Sequence, residues 1–237
     1  MRKVQDKPWA VDPPQRPSVR LIKGLGRFYA RAFHRLDVLS PCRLPPTGPA
    51  ILVCNHISGL DPVLIQSVCP RLVVWMMARE YYDLPAMRWG FELIEAIPVE
   101  RSGKDLAATR AALRALNRGR VLGVFPEGRI ETDSDLLPFQ TGVAMLAQRA
   151  GADVYPSYLD GTQRGKEMLQ CFMEPQSARL VFGDRIVMRS EGLKPDFDAA
   201  TAQVRSRVEA LRGRVASLAK RGASRNSPPG VGSIKSH

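Results

Sequence analysis

The sequence has no apolar run long enough to span a lipid bilayer. Apolar stretches such as residues 50–54 and 121–126 have the length of β-strands, whereas a spanning helix needs about 18 or more apolar residues. We therefore expect no transmembrane anchor. The basic N-terminus continues into Pro13, Pro14 and Pro17 rather than into an apolar segment, so the pattern does not predict a secretory signal. Both absences favour a cytoplasmic site of action.

Cysteine and histidine are also scarce. The 237 residues include four cysteines and three histidines, and no Cys-x-x-Cys pair. This spacing excludes a structural zinc site, and we expect no metal site of any other kind. The cysteines mostly lie in apolar runs, so we expect buried, reduced thiols. They are Cys42, Cys54, Cys69 and Cys171.

Acidic residues are rare at both ends of the chain. Residues 1–35 carry nine lysines and arginines against two aspartates, and residues 212–237 carry six basic residues and no acid. Residues 36–211 are close to neutral, with 20 basic and 21 acidic residues. This distribution predicts a globular domain with basic extensions, which attract polyanions such as an anionic membrane surface or a nucleic acid.

The basic N-terminal region also has a helical periodicity. From residue 18 to residue 39, apolar and basic side chains separate onto opposite faces at about 100° per residue. Such a helix can lie in the headgroup layer of an anionic membrane, or pack the same apolar stripe on its own domain. Nucleic-acid binding is disfavoured because the body of the chain has no basic face. The apolar face has Leu21, Ile22, Leu25, Phe28, Tyr29, Phe33, Leu36 and Leu39; the other has Arg20, Lys23, Arg27, Arg31, His34 and Arg35.

Four segments follow from these patterns. We expect a flexible N-terminal segment over residues 1–17 and an amphipathic, membrane-associating helix over 18–40. An α/β domain would occupy residues 41–220, and residues 221–237 read as a disordered basic tail.

Strand-like and helical patterns alternate within the central domain. This alternation predicts an α/β fold with a mostly parallel central sheet flanked by helices. In such sheets ligands bind beyond the carboxyl ends of the strands. The strand-like runs are residues 50–54, 72–76, 121–125, 153–158 and 178–182, and the helical patterns are 62–69, 104–118, 141–150 and 197–220.

The first run is followed by Asn55, His56 and, five positions after the histidine, Asp61. An imidazole in this place can act as a general base at neutral pH if a carboxylate orients it. Asp61 can do this if residues 58–59 form a turn, or it can simply cap the helix that Pro62 opens. The sequence has no G-x-S-x-G motif that would supply a covalent nucleophile.

Two later runs also end in polar residues. Arg101 precedes a helical pattern and can clamp a phosphate together with backbone N–H groups. Glu127, Gly128 and Arg129 follow residues 121–125, and the glycine suggests close approach of a ligand to the backbone.

Taken together, these motifs resemble the glycerolipid acyltransferases of the 1-acylglycerol-3-phosphate (lysophosphatidate) type. The residues Asn55-His56-x4-Asp61 look like the first sequence block of that family, and residues 97–101, 125–128 and 154–156 resemble the second, third and fourth. The four blocks occur in order, which makes the resemblance specific.

The resemblance implies a role for each matching residue. His56 would be the general base that activates the acceptor hydroxyl, and Asp61 would orient it. Arg101 would hold the acceptor phosphate. The remaining substrate-binding residues would be Asn55 from the first block, Glu127 and Gly128 in the acceptor pocket, Arg129, and Pro156 on the acyl-donor side.

The resemblance also implies the reaction and the partners. An acyl group would pass from acyl-CoA or acyl carrier protein to 1-acylglycerol-3-phosphate, giving phosphatidic acid in phospholipid biosynthesis, without a cofactor. The enzyme would be peripheral, at the cytoplasmic face of an anionic membrane, and would not bind nucleic acid.

Two departures from the family pattern leave other functions open. Arg129-Ile130 replaces the usual Thr-Arg, and Gln140 stands where the family often has lysine. Phosphate recognition would then rest on Arg101 and Arg129, or the acceptor is a different lyso-lipid or amphiphile. A non-catalytic membrane-binding relative is the remaining alternative.

Overall fold

A seven-stranded, mostly parallel sheet lies at the centre of the fold. The computed structural model describes residues 17–100, 105–131, 135–164, 168–188 and 196–225. The strand order is β1-β7-β6-β2-β5-β3-β4, and β6 and β7 pair antiparallel while the other pairs are parallel. The strands are β1 Asp37–Val38, β2 Ala50–Val53, β3 Val73–Ala78, β4 Ile97–Val99, β5 Val121–Val124, β6 Asp153–Asp160 and β7 Arg179–Phe182.

Helices cover both faces of this sheet, which confirms the predicted fold class. Alternate residues of β2 belong to two separate apolar clusters: Ile51 and Val53 lie in one, Ala50 and Leu52 in the other. All four are fully buried, as expected for a parallel strand covered on both sides. The helices are α1 Pro17–Ala32, α2 Asp61–Val68, α3 Arg79–Tyr82, α4 Pro85–Leu93, α5 Leu106–Asn117, α6 Gly142–Ala150, α7 Met168–Met173 and α8 Phe197–Arg225.

The long helix α8 packs through the apolar stripe expected from its sequence. Val204, Val208, Leu211 and Val215 are all buried, at the spacing of one helix face. The helix continues to Arg225, so residues 221–225 are helical and the prediction of a disordered tail is wrong there. Residues 226–237 lie outside the described residues.

The N-terminal helix is shorter than predicted. It ends at Ala32 rather than continuing to residue 40. Arg35 has a φ of 44° in the turn that follows, and Asp37–Val38 pair with β7. The spacing of Leu36 and Leu39 suits a helix, but strand pairing determines the backbone of this segment.

His34 also differs from its predicted place on a basic face. Its side chain is fully buried, and its ring stands edge-on to Tyr29 and Phe33. Burial lowers the pKa of His34, which favours the neutral ring. The residue therefore belongs to the packing between α1 and the domain.

Only part of the apolar surface of α1 packs on the domain. Ala30 is buried and Tyr29 is half-buried, whereas Leu21, Leu25 and Phe28 are 64%, 60% and 73% exposed. One part of the apolar stripe therefore packs on the domain, and another part is exposed; association of the exposed part with a membrane stays a prediction. Among the described helices, none is sufficiently long and apolar to cross a membrane.

Candidate active site

The candidate site lies at the carboxyl edge of the sheet. Val53, near the end of β2, is in register with Val124 of β5 and with Pro156 of β6. Because these strands are parallel, the segments after β2 and β5 leave the sheet at the same edge. His56 and Glu127 each come three residues after their strand, so the topology brings the two predicted sites together.

His56 and Asp61 form a hydrogen-bonded pair. The Nδ1 atom of His56 lies 3.0 Å from Oδ2 of Asp61, and Asp61 is fully buried. A carboxylate only accepts hydrogen bonds, so Nδ1 carries the hydrogen and Nε2 is the basic nitrogen. The histidine side chain retains 15% exposure.

Backbone groups fix the carboxylate of Asp61. Its Oδ2 atom also accepts the N–H groups of Ile57 at 2.8 Å and Ser58 at 2.9 Å. Both residues precede α2, so this side chain closes the turn before the helix rather than capping its first turn. As the first residue of α2, it also places its negative charge at a helix N-terminus, which favours an anion.

A residue from another strand end completes the environment of Asp61. The hydroxyl of Thr162 donates to Oδ1 of Asp61 at 3.3 Å and is buried. Thr162 follows the carboxyl end of β6 by two positions. The sequence analysis missed this residue, although its place just after a strand was the available signal.

Aromatic rings hold the plane of the histidine. The His56 ring stacks on Phe125 with 4.1 Å between centroids, and Phe125 stacks on Trp75 at 5.0 Å. Trp75 is buried in the core. The orientation of the base is therefore set by packing as well as by Asp61.

The carboxylate of Glu127 accepts hydrogen bonds from two backbone segments. Its Oε1 atom accepts the N–H of His56 at 3.0 Å, and Oε2 accepts the N–H of Leu137 at 3.0 Å. Burial raises the pKa of Glu127, while these two N–H groups act in the opposite direction. Glu127 thus holds the histidine backbone and the segment before α6 in place.

Gly128 occupies a position that requires glycine. Its φ is +72°, and a Cβ atom there would overlap the side-chain amide of Gln140. The Gln140 backbone also donates to the Pro126 carbonyl at 2.9 Å. The next residue, Arg129, has an exposed side chain at this edge of the sheet.

Asn55 has a structural position rather than the expected substrate-facing one. Asn55 is fully buried, and its amide donates to the Leu159 carbonyl at 2.9 Å and accepts the Leu159 N–H at 2.8 Å. It therefore fastens the end of β2 to β6. Pro156 lies buried within β6 beside Gly183, level with the last residue of β2, and its place on the acyl-donor side stays a prediction.

Arg101, the predicted phosphate clamp, lies outside the described residues. The preceding strand β4 is parallel to β3, and β3 is parallel to β5, so the carboxyl end of β4 belongs to the same edge. Glu100 pairs there with Arg79. Arg79 directly follows β3, and the sequence analysis missed it.

Glu131 and Arg164 form a second polar pair next to the histidine. The Glu131 N–H donates to the His56 carbonyl at 2.6 Å, and its carboxylate accepts from Arg164 at 3.0 Å. Burial raises the pKa of Glu131 to about 7, although Arg164 acts in the opposite direction. No sequence motif contains both residues, so the pair could not be predicted.

The comparisons with known proteins show the family and the fold to which the chain belongs. A family model described as Acyltransferase matches residues 35–160, more than half of the chain, and the chain belongs to that acyltransferase family. All the described residues of the site except Thr162 and Arg164 lie within the matched range.

Particular relatives are 1-acyl-sn-glycerol-3-phosphate acyltransferases. The Bacillus subtilis enzyme of that name is 23% identical over 74% of this chain and 83% of its own. The human beta enzyme is 30% identical over 52% of this chain and 45% of its own, so the match spans less than half of the human protein. A Caenorhabditis elegans relative, 32% identical over 46% of this chain, is covered over 40% of its length.

A solved structure supports the fold. The Thermotoga maritima 1-acyl-sn-glycerophosphate acyltransferase PlsC superposes with a TM-score of 0.66 and 22% identity. The superposition covers 83% of this chain and 80% of that one.

Proposed function

We propose that this protein transfers a fatty acyl group from a thioester to the free hydroxyl of 1-acylglycerol-3-phosphate, producing phosphatidic acid. The observation that carries this proposal is the His56–Asp61 pair, in which Nδ1 is bound at 3.0 Å and Nε2 is the basic nitrogen. The two related enzymes from Bacillus subtilis and human support the choice of acceptor.

In the proposed reaction His56 acts twice. Its Nε2 atom removes the proton from the acceptor hydroxyl as the oxygen attacks the thioester carbonyl. The tetrahedral intermediate then collapses, the carbon–sulfur bond breaks, and the imidazolium returns the proton to the leaving thiolate. Because the acceptor hydroxyl is the nucleophile, no covalent acyl-enzyme is needed.

Asp61 stabilises the imidazolium that forms in the first step. Its buried carboxylate lies next to Nδ1, where it keeps the ring in the required tautomer and offsets the positive charge. The N–H groups of Ile57 and Ser58 and the hydroxyl of Thr162 hold this carboxylate in place. The base is therefore oriented before the substrates bind.

Basic residues at the carboxyl edge would bind the acceptor phosphate. Arg129 is exposed there, and Arg101, which lies outside the described residues, comes two positions after the last residue of β4 in the sequence. A guanidinium group suits a phosphate because it offers two parallel donors. Ile130 and Gln140 supply no charge, and this favours a second candidate acceptor, a lyso-lipid with a different headgroup. The acyl donor would be acyl-CoA or acyl carrier protein.

Helix α1 would hold the site at an anionic membrane, at its cytoplasmic face. The exposed side chains of Leu21, Leu25 and Phe28 fall within an arc of about 60° on the helix. Buried Ala30 lies on the opposite side, so this ridge points away from the domain. Exposed arginines lie along one side of this ridge and can contact lipid phosphates; they are Arg20, Arg27 and Arg31.

An acceptor panel tests this function. Purified protein is given palmitoyl-CoA with lysophosphatidate, with other lyso-lipids, or with no acceptor, and both thiol release and lipid products are measured. We expect thiol release that depends on lysophosphatidate and a product with the mass of phosphatidic acid.

Other outcomes of the acceptor panel would point to other functions. Turnover with another lyso-lipid alone would support the second candidate. Thiol release without any acceptor would indicate a thioester hydrolase. No release from palmitoyl-CoA, nor from a palmitoyl-acyl carrier protein given in its place, would favour a non-catalytic membrane-binding protein.

A further inference from the structure

Two cysteines that are 27 residues apart in the chain meet in the structure. The Sγ atoms of Cys42 and Cys69 lie 3.8 Å apart and share a hydrogen bond. Neither thiol has a part in the proposed acyl transfer. Cys54 and Cys171, in contrast, are fully buried at other places.

The two thiols differ in accessibility. Cys42 is half-buried in the segment after β1, and Cys69 is buried at the C-terminal cap of α2. Solvent and small oxidants can therefore reach Cys42, while Cys69 lies behind it. Oxidation-sensitive cysteine pairs combine an accessible thiol with a second thiol in contact.

The electrostatic environment favours a thiolate at Cys42. The hydrogen bond from Cys69 lowers the pKa of Cys42, and the same contact together with burial raises the pKa of Cys69. The ammonium group of Lys23 binds the Cys69 carbonyl at 3.2 Å, and its charge lowers the pKa of Cys69, against the two larger effects. Cys42 is thus the candidate for the attacking thiol, and Cys69 for the resolving thiol.

We propose that Cys42 and Cys69 are an oxidation site that a peroxide converts to an intramolecular disulfide. The Cys42 thiolate attacks a peroxide oxygen and breaks the O–O bond, which gives a sulfenic acid and, from hydrogen peroxide, one water. The Cys69 thiol then displaces the sulfenic hydroxyl as a second water, and the S–S bond forms. The two thiols lose two electrons and two protons, and the peroxide is reduced.

This bond would enclose the catalytic segment. The loop from residue 42 to residue 69 contains β2, His56, Asp61 and all of α2. The sulfur atoms lie 3.8 Å apart and have to approach to a bond length of about 2.05 Å. Closing a loop of this length constrains the unfolded chain and raises Tm by about 5–10 °C.

Peptide mapping of the full-length protein tests the proposal. The protein is oxidised with hydrogen peroxide, its remaining thiols are alkylated with N-ethylmaleimide under denaturing conditions, and trypsin fragments are analysed by mass spectrometry. Cleavage at arginines places Cys42 in the peptide 36–43 and Cys69 in the peptide 44–71. We expect these two peptides to be joined, with Cys171 alkylated. Because the peptide 44–71 also contains Cys54, fragmentation of the joined peptides should place the alkyl group on Cys54 and the disulfide on Cys69.

Single variants and Tm complete the test. Cys42→Ser and Cys69→Ser should each abolish the joined peptide and the rise in Tm, and dithiothreitol should reverse both in the wild type. Four alkylated cysteines after oxidation, a sulfinic acid at Cys42, or a bond to Cys54, to Cys171 or between two copies would overturn the proposal. Since these readouts do not involve turnover, they are independent of the proposed function.

Discussion

Replacing Asp61 by asparagine should remove a buried negative charge and keep the hydrogen bonds around it. The asparagine oxygen can take the place of Oδ2 and accept from His56, Ile57 and Ser58. Its NH2 group then takes the place of Oδ1 and can donate to the Thr162 hydroxyl, which lies 3.3 Å away. We therefore expect Asp61→Asn to fold normally.

The expected loss of activity follows from the charge alone. An imidazolium and a carboxylate about 4 Å apart interact by about 4 kcal/mol at an effective dielectric constant of about 20. Losing this interaction when the histidine becomes charged corresponds to a fall in kcat of about 10³-fold. A loss of binding would instead raise KM at constant kcat.

The assay is thiol release from palmitoyl-CoA with detergent-dispersed lysophosphatidate, and thermal unfolding checks the fold. Asp184→Asn is the matched control, because Asp184 is exposed and pairs with Arg43 on the surface at 2.6 Å; its turnover should equal that of the wild type. Activity of Asp61→Asn within ten-fold of wild type, in a protein with normal Tm, would refute the role of the carboxylate.

Three further predictions concern residues around the site and on α1. Thr162→Val should lower kcat about 10- to 100-fold with little change in KM, because a hydrogen bond to a charged group is worth about 1.5–3 kcal/mol. Thr162→Ser keeps the hydroxyl and should retain most of the wild-type kcat. An equal loss of kcat in both variants would contradict a role for the hydroxyl. Glu131 has a pKa raised to about 7 in the folded state, so the unfolded chain loses its proton first as pH rises. Between pH 4.5 and 7 the free energy of unfolding, measured with urea, should fall by about 2–3 kcal/mol more in wild type than in Glu131→Gln. If the free energies of unfolding of the two proteins change in parallel with pH, this prediction is wrong. Leu25→Ser with Phe28→Ser should weaken binding to anionic vesicles at least about ten-fold in cosedimentation, since burial of each side chain is worth about 1.5–3 kcal/mol, and leave Tm unchanged; a lower Tm would mean that these side chains pack on the domain.

The sequence predicted the part of the site that depends on strand ends. His56 and Glu127 follow short apolar runs, and parallel strands bring such positions to one edge whatever the details of packing. The pairing of Asp61 with the histidine was also predictable, because it needs only a turn within the same block. The structure contains that turn, with Ser58 N–H bound to Asp61.

Contacts between distant segments could not be predicted in this way. Thr162 reaches Asp61 across 101 positions, and Arg164 reaches Glu131 across 33. Neither contact leaves a periodicity or a local motif in the sequence. Asn55 was predicted to bind substrate because it belongs to the first sequence block. Its two hydrogen bonds to Leu159 depend on the order of the strands, which the sequence does not show.

Element boundaries show the same limit. The apolar spacing of Leu36 and Leu39 continues the pattern of α1, yet β1 is formed there because Asp37–Val38 pair with β7. The helices α3, α4 and α7 were not predicted; α3 and α7, with four and six residues, are too short for a clear period. In contrast, the helical pattern over 197–220 did predict α8, because four apolar positions between Val204 and Val215 repeat on one face over several turns and are buried.

A comparison of wild type with His56→Gln tests whether His56 is the general base. Glutamine can keep a hydrogen bond to Asp61 but cannot accept a proton at neutral pH. If His56 is the base, lysophosphatidate-dependent thiol release from palmitoyl-CoA is at least about 10²-fold slower in His56→Gln than in wild type, while Tm changes little. Turnover of the variant close to that of wild type would contradict the assignment of His56 as the base.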